Sequence, residues 1–158
     1  VVTVDSDLYR DFLSRFASGV TVVTTRDGNG EPWGFTASSF ASLSADPQYI
    51  VVCLARSAEC FDAFDGCGEF VVNILHAGQQ DTAMAFATRG SDKFGTTETT
   101  DTPGGSPVVT GSLGSLTCTR AHTIDGGDHV ILIGEAKDAV VAEGEPMLYY
   151  NRGFRALA

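Results

Sequence analysis

The segment Gly34-Phe35-Thr36-Ala37-Ser38-Ser39-Phe40, followed by Ser42-Leu43-Ser44, gathers small hydroxyl side chains in a stretch without charge. In an extended chain alternate residues face one way, so such a run offers donors and a backbone that a flat ligand can approach closely. A plain strand with Thr and Ser on its wet face has the same composition, and residue types alone do not separate the two readings. Other chemistry lacks its usual signatures: there is no GxGxxG after a strand, no P-loop, no GxSxG elbow and no HExxH pair. Cys53, Cys60, Cys67 and Cys118 contain no CxxC pair and sit mostly among apolar residues, as buried thiols of a reducing compartment do. Clustered His/Cys pairs are also missing, which leaves a structural zinc site without support.

The elements that must position these residues follow from periodicity. Leu8, Phe12, Leu13 and Phe16 recur at helical spacing after the possible caps Asp5 and Ser6, with Gly19 as a stop. The β-branched run Val20 to Thr25, the turn Asp27-Gly28-Asn29-Gly30 and an extended run through Trp33, Phe35 and Ala37 predict a hairpin. After Asp46-Pro47, the run Tyr49 to Leu54 reads as a fully buried strand. Ser57 then stands before a helix-compatible AECFDAF, and Gly66 and Gly68 precede a strand over Phe70 to Leu75. Gln79 to Ala87 predicts a helix, and Thr88 to Pro107 a long excursion. Leu116 to Ile124 and His129 to Val141 are extended segments joined by Asp125-Gly126-Gly127-Asp128. Tyr149 and Tyr150 close the pattern.

About six or seven strands with small helices at their edges predict a mainly β, antiparallel barrel in one domain over residues 1–158, since closure removes edges that a small protein must otherwise protect. A doubly wound parallel sheet needs helices between most strands, and the two hairpin turns argue against it. The hydrophobic fraction of 43% in 158 residues excludes a disordered chain. Twenty acidic against ten basic side chains, a formal charge of −10, repel polyphosphate, so nucleic acid is not an expected partner. No stretch approaches the roughly 18 apolar residues of a spanning helix, and the first residues lack a secretory pattern, so a soluble, cytoplasmic protein without a membrane partner is expected. A phosphorylated ligand would require a local cluster of cations or oriented amides.

The strings FLSRFASGVTVVTT, GFTASSFASLSADP, VVCLARSAEC, FVVNIL, RGSDKF, GDHVILIGEA and PMLYYNRGF occur in this order over nearly the whole chain. Together they resemble the flavin reductase-like proteins of the FMN-binding split-barrel fold, the small reductase components of two-component flavin-dependent monooxygenases. The resemblance implies a Greek-key split β-barrel with a few short flanking helices, a homodimer, and a flavin held near the subunit interface. By position, Thr36, Ala37, Ser38 and Ser39 match the segment beside the isoalloxazine and ribityl chain, and Ser42 and Ser44 continue that wall. Arg56 and Ser57 match the phosphate-side turn, where a hydroxyl and the N–H groups of a following helix can receive a dianion. Lys93 and Phe94 match a second motif near the flavin, and Ala55 stands where many relatives carry Asn. Gly127-Asp128-His129 matches a GDH motif whose His lies on the nicotinamide side, which makes His129 the residue expected at the reacting centre. Phe154 and Arg155 match an aromatic and basic pair beside the pyridine nucleotide. His76 and His122 are assigned to structure, and Trp33 to a barrel plug or rim.

The implied function is an NAD(P)H:flavin oxidoreductase that passes hydride from NADH or NADPH to FMN, with FAD as the other candidate flavin. Reduced flavin would then diffuse to a partner monooxygenase. Two alternatives share the implied fold: an oxidase that retains its FMN, and a non-catalytic flavin-binding module. Free-flavin dependence of NADH consumption separates the first, and flavin reduction under anaerobic NADH the second.

Overall fold

Asp5 shows how local chemistry sets the first element: its carboxylate accepts from the backbone N–H of Asp7 at 3.0 Å and Leu8 at 3.2 Å, capping helix α1 (Ser6–Ser14). The computed structural model describes residues 3–158. The helix stops at Arg15, short of the glycine stop at Gly19, because Ser18–Gly19 (β1) is drawn into pairing with Leu148–Tyr150 (β11). Strand β12 (Gly153–Arg155) completes that small sheet. The apolar side chains Leu8, Phe12 and Phe16 of this segment remain exposed.

Seven strands form the main sheet: β2 (Thr21–Arg26), β3 (Pro32–Ala37), β4 (Ala41–Ala45), β5 (Gln48–Ala55), β6 (Glu69–Ile74), β9 (Gly114–Gly126) and β10 (His129–Val141). Their order is β3-β2-β6-β9-β10-β5-β4, and every neighbouring pair is antiparallel. The two edge strands, β3 and β4, are consecutive in the chain and joined only by Ser38, Ser39 and Phe40. So short a link spans at most about 14 Å, which forces the sheet to curl until its edges lie side by side. The fold is therefore the expected mainly β, antiparallel barrel, with a seam between β3 and β4 that no ladder bridges.

Three expectations are corrected in detail. The run Tyr49 to Leu54 is not buried throughout: Ile50, Val52 and Leu54 face the core while Val51 and Cys53 are half-exposed, because β5 covers the interior with one face only. The helix after Ser57 is shorter than AECFDAF allows; Ala58 and Phe61 close turns on Ala55 and Ala58, and α2 (Phe61–Gly66) begins four residues past Ser57. The excursion from Thr88 to Pro107 contains a small hairpin of β7 (Thr99–Asp101) and β8 (Pro107–Val109), following helix α3 (Gln80–Ala87).

Strand β2 explains the β-branched run, since it is buried on both faces. Val23 joins Val52, Leu54, Phe64, Phe70 and Leu132 inside the barrel, whereas Val22 joins Leu75, Ala83, Phe86 and Met147 beneath α3. Fully buried Asn73 fastens the excursion to the barrel: its amide donates to Val22 O at 2.9 Å and Thr24 Oγ1 at 3.2 Å, and its Oδ1 accepts from Val109 N at 2.9 Å. Among the described residues no helix is long and apolar enough to cross a membrane.

Candidate functional site

The seam opens into a cavity of about 510 Å³. One wall is β3 with its link, Gly34 to Ser39; the second is the end of β5 with the turn from Ser57 to Cys60. The end of α3 and the loop behind it contribute Phe86, Thr88, Arg89 and Lys93, and His129 stands at the start of β10. As an edge strand, β3 leaves alternate N–H and C=O groups without ladder partners along the seam. Gly34 keeps that wall thin: a Cβ there would lie 2.6 Å from Phe86 Cε1 and 2.9 Å from Val23 O.

The hydroxyls of this wall divide into structural and open groups. Thr36 Oγ1 donates to Ala83 O at 2.6 Å and ties β3 to α3. Ser39 Oγ accepts from Cys53 N at 3.0 Å and donates to Cys53 O at 3.3 Å, taking the place of a strand pair across the link. Both side chains are thus engaged within the protein, and what Thr36 to Ser39 leave open to the cavity is backbone, Ala37 and Ser38.

The cationic side is built from two distant segments. Lys93 Nζ lies 2.5 Å from Glu59 Oε1 and donates to Thr88 O at 2.8 Å, while Glu59 Oε2 accepts from Gly90 N at 3.0 Å. The hydrogen bond from Lys93 holds the Glu59 carboxyl below the usual carboxylate range. Arg89 Nη1 donates to Ser57 O at 3.0 Å, and among the described residues Arg89 forms no ion pair. Arg89 thus stands outside any direct ion pair, though close enough for its charge to help lower the Glu59 carboxyl, whereas Lys93 is paired directly with that carboxylate.

His129 pairs in register with Ala55 across β10 and β5, and its Nδ1 lies 2.7 Å from Asp128 Oδ1. That contact lowers the Asp128 carboxyl below its ordinary range. Arg56, expected at the phosphate, does not line the cavity. Its guanidinium reaches Asp125 Oδ1 at 2.6 Å and Gly127 O at 3.1 Å in the β9–β10 turn.

Of the residues singled out in the sequence, Thr36, Ala37, Ser38, Ser39, Ser57, Lys93 and His129 meet at the cavity. Phe94 packs edge-on against Phe86 at 5.2 Å and lines an adjoining cavity of about 410 Å³ with Trp33. Trp33 is a rim residue, its Nε1 donating to Asp27 Oδ2 at 2.9 Å. Ser42 and Ser44 line a separate groove on β4 and β10. Phe154 packs on the second core cluster and on Tyr149, and Arg155 donates to Phe154 O, so neither reaches the seam. Residues that sequence reasoning passed over are Cys53, Glu59, Cys60, Phe86 and Arg89. Glu59 and Arg89 lie inside strings already notable, VVCLARSAEC and RGSDKF, and their opposite charges flanking short turns were the available signal. Cys60 gave none, and burial pushes its thiol up to about 11.

Comparison with known proteins agrees with this geometry. The chain is 44% identical over 154 residues to the actinorhodin polyketide dimerase of Streptomyces coelicolor, covering 97% of this chain and 87% of that protein. It is 37% identical to the reductase subunit HsaB of a flavin-dependent monooxygenase from Rhodococcus jostii, over 94% of this chain and 76% of that one. Among solved structures, the NADH:FAD oxidoreductase SgcE6 of Streptomyces globisporus C-1027, in complex with NAD and FAD fragments, superposes with a TM-score of 0.92 at 32% identity. That match covers 100% of this chain and 98% of the other. The chain spans about half the length of some other relatives. Residues 13–158 match the family described as flavin reductase like domain, and with the barrel, the seam and these relatives in agreement, the chain belongs to that family.

Proposed function

We propose that this chain is an NAD(P)H-dependent flavin reductase, working as a homodimer and supplying reduced flavin, FMN foremost, to a partner monooxygenase. The observation that carries the reading is the seam cavity: a thin wall of small residues, one guanidinium at Arg89 outside any direct ion pair and one imidazole at His129 meet around about 510 Å³. That volume lies within the range of small-ligand sites, and the wall from Gly34 to Ser39 presents backbone without bulky side chains to a flat ring. The residues present therefore fit a flavin.

When bound, the flavin supplies at N5 the two-electron acceptor for the hydride at C4 of a dihydronicotinamide. The chain's own contribution is positioning, which removes much of the entropy cost of bringing two reactants together. Ala37 and Ser38 present the open wall, Ser57 and Arg89 face an anionic tail, and His129 offers a hydrogen bond to a carboxamide or phosphate at the opposite side. Lys93, already paired with Glu59, shapes the floor of the cavity. The exposed apolar side chains Leu8, Phe12 and Phe16 of the α1 segment support association with a second copy.

Steady-state assays crossing NADH and NADPH with FMN, FAD and riboflavin test the reading. Coenzyme oxidation is expected to require flavin added in excess of protein. A protein purified yellow, with turnover independent of free flavin, would overturn the diffusible-flavin assignment. In the same assay His129→Ala is expected to weaken coenzyme use more than flavin use.

A further inference from the structure

We infer that Arg56 is a positioning residue for His129, clamping the β9–β10 turn so that the imidazole keeps its place beside the cavity. This rests on the proposed role of His129 toward the nicotinamide.

The turn needs an external hold. Strand β9 loses its β6 neighbour beyond the Glu69–Thr119 pair, and β5 ends where Ala55 meets His129. The tip from Asp125 to Asp128 thus has only the β10 ladder to hold its β9 side. It contains two glycines, and Gly127 has a φ of +84, a conformation open to glycine but to few other residues. The backbone of His129, the first residue of β10, is paired with Gly126 and Ala55, so what the tip controls is Asp128, whose carboxylate holds the His129 ring through Nδ1.

Arg56 is the residue immediately after β5, and it holds three separate points of the tip. Its backbone N–H donates to Asp128 O at 2.9 Å, Nε to Gly127 O at 3.1 Å, and Nη2 to Asp125 Oδ1 at 2.6 Å. The guanidinium lies 5.9 Å from the centre of the Phe61 ring, which braces the fork. An exposed ion pair alone contributes little, and the Asp125 side chain is 77% exposed. The backbone carbonyl in the middle of the set is what gives the contact its geometry. A planar fork presents Nε and Nη2 at fixed spacing to Gly127 O and Asp125 Oδ1 together, a geometry that the single nitrogen of a lysine ammonium does not reproduce.

The test combines Arg56→Lys, Asp125→Ala and His129→Ala, alone and with Arg56→Lys added to His129→Ala. Arg56→Lys is expected to raise the NADH KM about tenfold by misplacing His129. The dissociation constants of FMN and riboflavin should change by less than about twofold, since the clamp acts through geometry. Asp125→Ala, which keeps Arg56 and touches nothing in the cavity, should shift KM in the same direction by less. In the His129→Ala background Arg56→Lys should add nothing. Weaker FMN binding with riboflavin unchanged would make Arg56 a phosphate ligand and overturn the proposal, as would a full KM penalty in the absence of His129. If His129→Ala leaves KM unchanged, the nicotinamide role fails while the clamp is still judged by NMR of the His129 ring. Shifted or broadened ring resonances in Arg56→Lys then support the clamp, and resonances identical to wild type overturn it.

Discussion

Lys93 and Glu59, 34 positions apart, meet at 2.5 Å on the partition between the seam cavity and its neighbour. The Lys93 side chain is 10% exposed, so its charge is met by the Glu59 carboxylate and the Thr88 carbonyl more than by water. That carboxyl is depressed in the folded protein, chiefly by the Lys93 hydrogen bond, so the unfolded chain binds the proton more readily. The pair therefore stabilises the fold above the ordinary carboxylate range and loses this contribution as pH falls through the depressed value. Glu59→Gln should flatten the acid side of the stability profile below about pH 4.3 relative to wild type. Urea midpoints taken from neutral pH downward measure it, and parallel curves for both proteins would refute it.

Gly34 is required by contact, not by a turn. An added Cβ would press on Phe86, which can shift, and on the carbonyl of Val23 at 2.9 Å, which is fixed in the β2 ladder. Gly34→Ala should destabilise the protein by about 1–3 kcal/mol, the usual range for overpacking, and push Phe86 toward the cavity. Chemical denaturation together with flavin titration reads both effects. An unchanged midpoint with unchanged flavin affinity would show that α3 moves freely off β3.

Thiol reactivity offers a probe of the same cavity. Burial pushes Cys60 up to about 11 and Cys118 up to about 12, and also raises Cys67, so these three remain neutral thiols at pH 8. Cys53 is half-exposed and lines the cavity. A disulfide reagent should modify Cys53 first and reach the others only on unfolding, and saturating flavin should slow the Cys53 reaction. Equal labelling of all four in the folded protein would contradict the packing.

The strands were legible because burial on both faces selects β-branched residues, as in Val20 to Thr25, and because the Asp125 to Asp128 turn chemistry fixes a long hairpin. The cavity was legible only where one contiguous segment forms it. Thr36 to Ser39 could be named, but the hydroxyls of Thr36 and Ser39 are taken by Ala83 and Cys53, residues 47 and 14 positions away. Arg56 reads in the sequence as a charge for an anion, and what its neighbours there do not show is that Asp125, 69 positions on, pairs with its guanidinium. Ser42 and Ser44 continue the motif in sequence but belong to the opposite edge strand, where a register shift falls between them and both line the separate groove beside β10. What a sequence does not show in these cases is which charge or hydroxyl is already neutralised by a distant partner.

Arg89 is the cavity cation that forms no direct ion pair among the described residues, and its hydrogen bond to Ser57 O brings it to the turn where Ser57 faces the cavity. A phosphate tail entering between them would meet a full positive charge in a protein whose formal charge is −10. Arg89→Gln should weaken FMN about tenfold, as loss of one charge-assisted contact does, while leaving riboflavin nearly unchanged. Ser57→Ala should act in the same direction with a smaller effect. Raising salt from low to physiological strength should erode FMN affinity in wild type more than in Arg89→Gln, because only the former still carries the attraction being screened. Equal losses for FMN and riboflavin in both variants would remove the pair from the phosphate side.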